Sequence, residues 1–147
     1  MMAEAYALYG TFAEDSGPPM DPGVRRRILS GAVDARTYIA ARWRAEADAR
    51  EMLQAFGTVD ALLVPTARTL PIPLAKVDEA TTPAVLTRFV NQIDFCAPAI
   101  PNGLSAMGLP ISLQIVRRPF DEAQALRIGL AFEAATAFHR ATPPMAA

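Results

Sequence analysis

Apolar residues recur at helical spacing from Glu4 to Phe12, which predicts a first helix. The run SGPPMDPG that follows (16–23) should end it, because proline has no backbone N–H and fixes φ. Asp34 has the character of an N-cap for a long second helix running to about Phe56, with Gly57 ending it. Ile39, Trp43, Ala47 and Leu53 fall near one face of that helix, while Arg36, Arg44, Asp48 and Glu51 fall elsewhere. At 1.5 Å per residue it would be roughly 33 Å long. VDALLVP (59–65) is a short, nearly continuous apolar run, as expected of a strand buried on both faces. Residues 66–76 are too rich in proline to be anything but a loop.

Thr82-Pro83 then offers an N-cap with proline at the first helical position, opening a short helix through Val85, Leu86, Phe89 and Val90. Ala97 to Pro101 reads as extended, and Asn102-Gly103 as a turn. From Pro110 to Val116 the pattern alternates, with Ile111, Leu113 and Ile115 opposite Ser112 and Gln114, so a strand with one buried face is predicted. Asp121 and Gln124 resemble a capping box for a last helix whose apolar stripe is Ala125, Ile128, Phe132 and Ala135. Trp43, Phe89, Phe95, Phe132 and Phe138 are expected in the core.

This order of elements indicates an α/β fold. Three strands among so many apolar helical faces leave sheet edges and stripes uncovered. Residues 1–147 therefore read as an incomplete domain. The chain is 52% hydrophobic and 20% charged with a formal net charge of −1, which offers no electrostatic footprint for nucleic acid or an anionic membrane surface. The first residues, MMAEAYALYG, lack the basic and apolar regions of a signal peptide, and no apolar run approaches a membrane span. A single cysteine, Cys96, excludes an internal disulfide and fits a reducing compartment. The expected location is the cytoplasm.

Candidate chemistry is sparse. The serines are Ser16, Ser30, Ser105 and Ser112, none in a Gly/Ser-rich loop, and Lys76 is the only lysine. Cys96 has no basic partner nearby in sequence, and the only histidine, His139, sits at the end of the last helix, where the dipole favours it. One cysteine and one histidine provide no metal-site spacing. Arg25-Arg26-Arg27 reads chiefly as a solvated helix face. Asn91 is a polar residue on an otherwise apolar helix, where a buried hydrogen-bonding role is expected. Asp94 has the position of a C-terminal turn residue.

Four segments, in order, carry a family resemblance. VRRRILSGAVDARTYIAARWRAEADAR resembles R-(L/I)-x-x-G…Y-x-x-A-x-x-x-R, and VDALLVPTA resembles D-x-L-(L/V)-x-P-T. LTRFVNQIDFCAPAIPNG resembles T-x-x-x-N-x-x-G-x-P-A-x-x-x-P-x-G, and GLPISLQIVRRPFDEAQALRIGLAFEAAT resembles G-L-P-x-x-x-Q-(L/I)-(I/V)-x-R-x-x-x-E…E. These are motifs of the amidase-signature enzymes, which include amidases and the A subunits of tRNA-dependent amidotransferases. HRATPPMAA resembles a natural end of such a protein.

The resemblance implies the C-terminal portion of an α/β/α sandwich with a mixed sheet, and amide hydrolysis through a Ser–cis-Ser–Lys triad with an oxyanion held by backbone N–H groups. Those three residues belong to a region upstream of the motifs seen here, so the resemblance assigns no catalytic residue, no metal and no cofactor to this chain. It does suggest a substrate pocket containing Arg27, Asn91, Asp94, Phe95 and Cys96, for a small-molecule amide bound together with the missing part. Homo-oligomerisation is compatible with it. The family's G-x-P-A is Asp94-Phe95-Cys96-Ala97 here, and Ala84 stands where glutamine-using A subunits carry an acidic residue. Both departures weigh against glutamine and a tRNA-linked role. Two other readings are a stand-alone, non-catalytic interaction module or pseudoenzyme, and one subunit of a split amidase.

Overall fold

A computed structural model describes residues 1–15, 19–78 and 83–142. Thr82, the expected cap of the short helix, and Ser16 to Pro18 within the expected helix stop lie outside the described residues. The chain divides into two compact units, the first formed by Met1–Asp48 and the second by Ala49–Asp78 and the described chain from 83 onward.

The first unit contains α1 (Met2–Glu14), α2 (Pro22–Leu29) and most of α3 (Ala35–Ala55). The hydrophobic pattern missed α2 because prolines crowd its start. Its actual cue is Asp21-Pro22: the Asp21 carboxylate accepts the Val24 N–H at 2.9 Å, and Pro22 occupies a first-turn position where no N–H is needed. Arg25 Nη1 then donates to the carbonyls of Ala13 and Asp15, satisfying acceptors at the end of α1. A Cβ at Gly31 would stand 2.1 Å from the Met2 carbonyl oxygen, so only glycine permits this approach to α1.

Asp34 caps α3 as expected, accepting both the N–H and the hydroxyl of Thr37 at 2.9 Å. The Thr37 N–H, followed by its hydroxyl, holds this carboxyl below its ordinary pKa. No residue of α3 is buried, and Trp43, expected in the core, is 68% exposed.

The second unit is built on a three-stranded antiparallel sheet in the order β1-β3-β2, where β1 is Leu62–Pro65, β2 is Ala99–Leu104 and β3 is Pro110–Val116. Asn102-Gly103 is not the turn. β2 runs through it with a bulge between Pro101 and Gly103, and the chain reverses at Ser105–Gly108, where the Gly108 N–H reaches the Ser105 carbonyl at 2.9 Å. Gly108 has φ 75°, a left-handed conformation that explains a glycine at this turn.

β3 was expected to bury one face, yet Gln114, Ile115, Val116 and Arg117 are all buried. Ile115 faces α5 (Glu122–Ala135), where a Cβ at Gly129 would lie 3.7 Å from both Ile115 and Ile100. Val116, pointing the other way, joins Phe56, Val90, Ile93 and Phe95 in the main core, with Met52 from the end of α3 packed against them. Helices thus cover both faces at this end of β3, and the expected α/β class holds. Gln114 is accommodated because its amide donates to the Leu86 carbonyl. Asp121 makes no capping bond to α5, so the expected capping box is absent; its carboxylate pairs with Arg117 instead.

Candidate functional site

The short helix α4 (Arg88–Gln92) leads directly into the residues singled out from sequence. Ile93 is its C-cap, Asp94 follows with φ 57°, and the Phe95 N–H reaches back to the Val90 carbonyl at 3.0 Å. That is the six-to-one bond of a Schellman motif, with Asp94 in the left-handed position where glycine is usual. Phe95 and Val90, which make the motif's apolar contact, both belong to the main core. Asp94→Gly is therefore expected to raise stability by about 1 kcal/mol, read as a rise in the urea midpoint, since a side chain in this conformation costs roughly 1–2 kcal/mol. A fall in the midpoint would mean that the carboxylate itself stabilises the turn.

Asn91 is exposed on α4, contrary to the buried role expected of it, and Asp94 is exposed beside it in sequence. The Phe95 ring is buried, tilted at 50° to Phe56 with centroids 5.6 Å apart. Cys96 is half-buried; its thiol donates to the Arg118 carbonyl at 3.3 Å, and its backbone forms an antiparallel bridge with Arg117. The structure therefore joins 91–96 to the start of the β3–α5 connection. Arg27 lies in the other unit, exposed on α2, with its carbonyl accepting the Ser30 hydroxyl.

Two arginines at that connection have different fates. Arg118 Nη2 donates to the Phe56 carbonyl, and its guanidinium carbon lies 5.7 Å from the centre of the Phe56 ring. Arg117 is buried and pairs with Asp121, while its Nε and Nη1 are buried without hydrogen-bond partners among the described residues. Sequence reasoning passed over this pair. Its signal was present: continuing the Ile111, Leu113, Ile115 alternation puts Arg117 on the same side, with an acid four residues on. Between them Phe120, at φ 60°, is 95% exposed.

The described serines are engaged in structure. Ser105 Oγ accepts the N–H groups of Met107 and Leu109 at 3.3 and 3.1 Å, Ser30 closes α2, and Ser112 lies within β3. Lys76 ends a 3₁₀ turn, Leu74–Lys76, and is exposed, as is His139 in the turn Phe138–Arg140. Among the described residues no helix is long and apolar enough to cross a membrane.

Comparison with known proteins places this geometry. The family model described as Amidase matches residues 2–126. The glutamyl-tRNA(Gln) amidotransferase A subunit of Geobacter metallireducens is 39% identical over 130 residues, covering 79% of this chain and 26% of that protein. Its counterpart of the same name from Chloroflexus aggregans is 34% identical, covering 98% of this chain and 31% of the relative. A crystal structure of an amidase superposes with a TM-score of 0.82 at 26% identity, covering 92% of this chain and 33% of that one. The chain thus spans about a third or less of the length of the relatives it matches.

Proposed function

Since the chain belongs to the amidase family, we propose that it is the C-terminal portion of a serine amidase, supplying part of the substrate pocket but none of the reacting groups. In this reading a lysine outside the chain takes a proton from a bridging serine. The bridging serine takes one from the nucleophilic serine, whose oxygen attacks the amide carbon as backbone N–H groups stabilise the oxyanion. The present residues contribute recognition. Asn91 offers an exposed amide donor and acceptor, Asp94 an exposed acceptor, Cys96 a half-buried thiol, and Phe95 a buried ring that fixes the backbone between them.

The observation that carries this reading is the coexistence of an amidase-like fold with serines that all serve turns, caps or a strand among the described residues. Asp94 fits a backbone position, so its presence in place of the family's glycine says little about the leaving group. Ala84, in place of an acidic residue, is the departure that favours a small amide other than glutamine.

The purified chain is expected to hydrolyse neither simple aliphatic and aryl amides nor glutamine. Turnover that disappears in Ser105→Ala or Cys96→Ala would overturn this. A chimera in which the chain replaces its matching stretch of the Geobacter metallireducens protein is expected to hydrolyse small amides. Asp94→Ala or Asn91→Ala in that chimera should raise KM about 10-fold, the effect of one lost hydrogen bond of roughly 1.4 kcal/mol. A folded chimera without turnover would rule the proposal out.

A further inference from the structure

β1 lies at the edge of the sheet, with β3 as its partner. The Thr66 N–H bonds to the Ser112 carbonyl at 3.1 Å, and the register continues through Val64↔Gln114 and Leu62↔Val116. Alternation along an antiparallel pair then directs the N–H and C=O of Leu63 away from β3, onto the edge that carries no further strand among the described residues. The Leu63 side chain is 63% exposed, although 59–65 has the apolar pattern of a strand covered on both faces. The edge also lacks the devices that discourage pairing. Ala61 to Val64 contains no charge, and Pro65 stands only at the end.

The nature of the missing neighbour follows from the comparison of sizes. The chain keeps the amidase fold over 92% of its own length while amounting to 33% of the solved amidase, so two thirds of that architecture is polypeptide not contained here. We infer that the β1 edge around Leu63 is a docking site for a β-strand of a polypeptide carrying that remaining part of an amidase fold, and that it takes this strand even when the two are separate chains. The inference rests on the amidase reading above. Leu63 supplies one donor, one acceptor and an apolar side chain to the added strand, while Leu62 and Val64 stay packed against the main core.

The test co-expresses the chain with the Geobacter metallireducens protein from which the stretch matching this chain has been deleted. The expected result is a one-to-one complex in which the Leu63 amide exchanges at least about 100-fold more slowly than in the chain alone. Leu63→Lys and Leu63→Pro should each weaken association at least about 10-fold with the chain's own Tm unchanged, because the Leu63 N–H takes no part in pairing with β3. In the covalent chimera the same amide should also be protected, which reads the edge even where the deleted protein does not fold. Unchanged Leu63 exchange in the chimera, a complex that leaves it unchanged, or pairing of β1 with a second copy of this chain would each overturn the inference. An active chimera with a free Leu63 amide sinks the docking site alone; a folded, inactive chimera with a protected amide sinks the amidase reading alone.

Discussion

Phe56→Ala is expected to destabilise the second unit by about 3–5 kcal/mol, a large part of the roughly 5–15 kcal/mol that holds a domain of ordinary size together. Phe56 is 1% exposed and packs with Val90, Ile93, Phe95 and Val116, so the substitution leaves a cavity between the end of α3, the turn after α4 and β3. It also removes the ring contacts to Phe95 and Arg118. The bond from Arg118 to the residue-56 carbonyl survives, since that acceptor belongs to the backbone. Urea denaturation checks this: with a slope of about 1–3 kcal/mol per molar, the midpoint should fall by more than about 1 M. Phe95 leads straight into Cys96, so faster amide exchange at 94–96 should accompany the loss. A change below about 0.5 kcal/mol, the size expected of an ordinary surface substitution, would show that the second unit does not depend on this cluster.

Asp121→Ala is expected to cost about 3–5 kcal/mol, because it strands the Arg117 guanidinium in the interior without a counter-charge. Capping does not account for such a loss, as the Asp121 side chain makes no bond to the first turn of α5. Two buried nitrogens of Arg117 have no partner among the described residues, so Asp121 satisfies only part of the guanidinium. Arg117→Met should accordingly be neutral or stabilising, by up to about 4 kcal/mol, and in its presence Asp121→Ala should cost less than about 1 kcal/mol. The four unfolding free energies of this double-mutant cycle decide the matter. Additive effects would mean that Asp121 stabilises α5 directly rather than through Arg117.

The helices and strands that matched their sequence cues did so for local reasons. Asp34 before Thr37 contains its own cap, because the carboxylate and the N–H it accepts are three residues apart. The alternation of 110–116 specifies an extended strand wherever it packs. α2 was also locally encoded, through Asp21-Pro22, but its prolines looked like a connector. At the candidate site, the chain order of Asn91 to Cys96 was legible through the family motif. The reason for an aspartate at 94 was not, because it depends on the backbone turning left-handed after α4.

Sequence by itself determined the α/β class, the family, the positions of the long helix and of β1 and β3, and the serines and lysine available for chemistry. Each of these depends on residue identity or on spacing within a few positions. Tertiary structure alone decided that Val116 and Ile115 are both buried, that Trp43 and Asn91 are exposed, and that Asp121 serves Arg117 rather than its own helix. Those outcomes depend on which distant surface arrives opposite a side chain. A periodic pattern marks a face as apolar or polar but does not say how many layers will come to cover it.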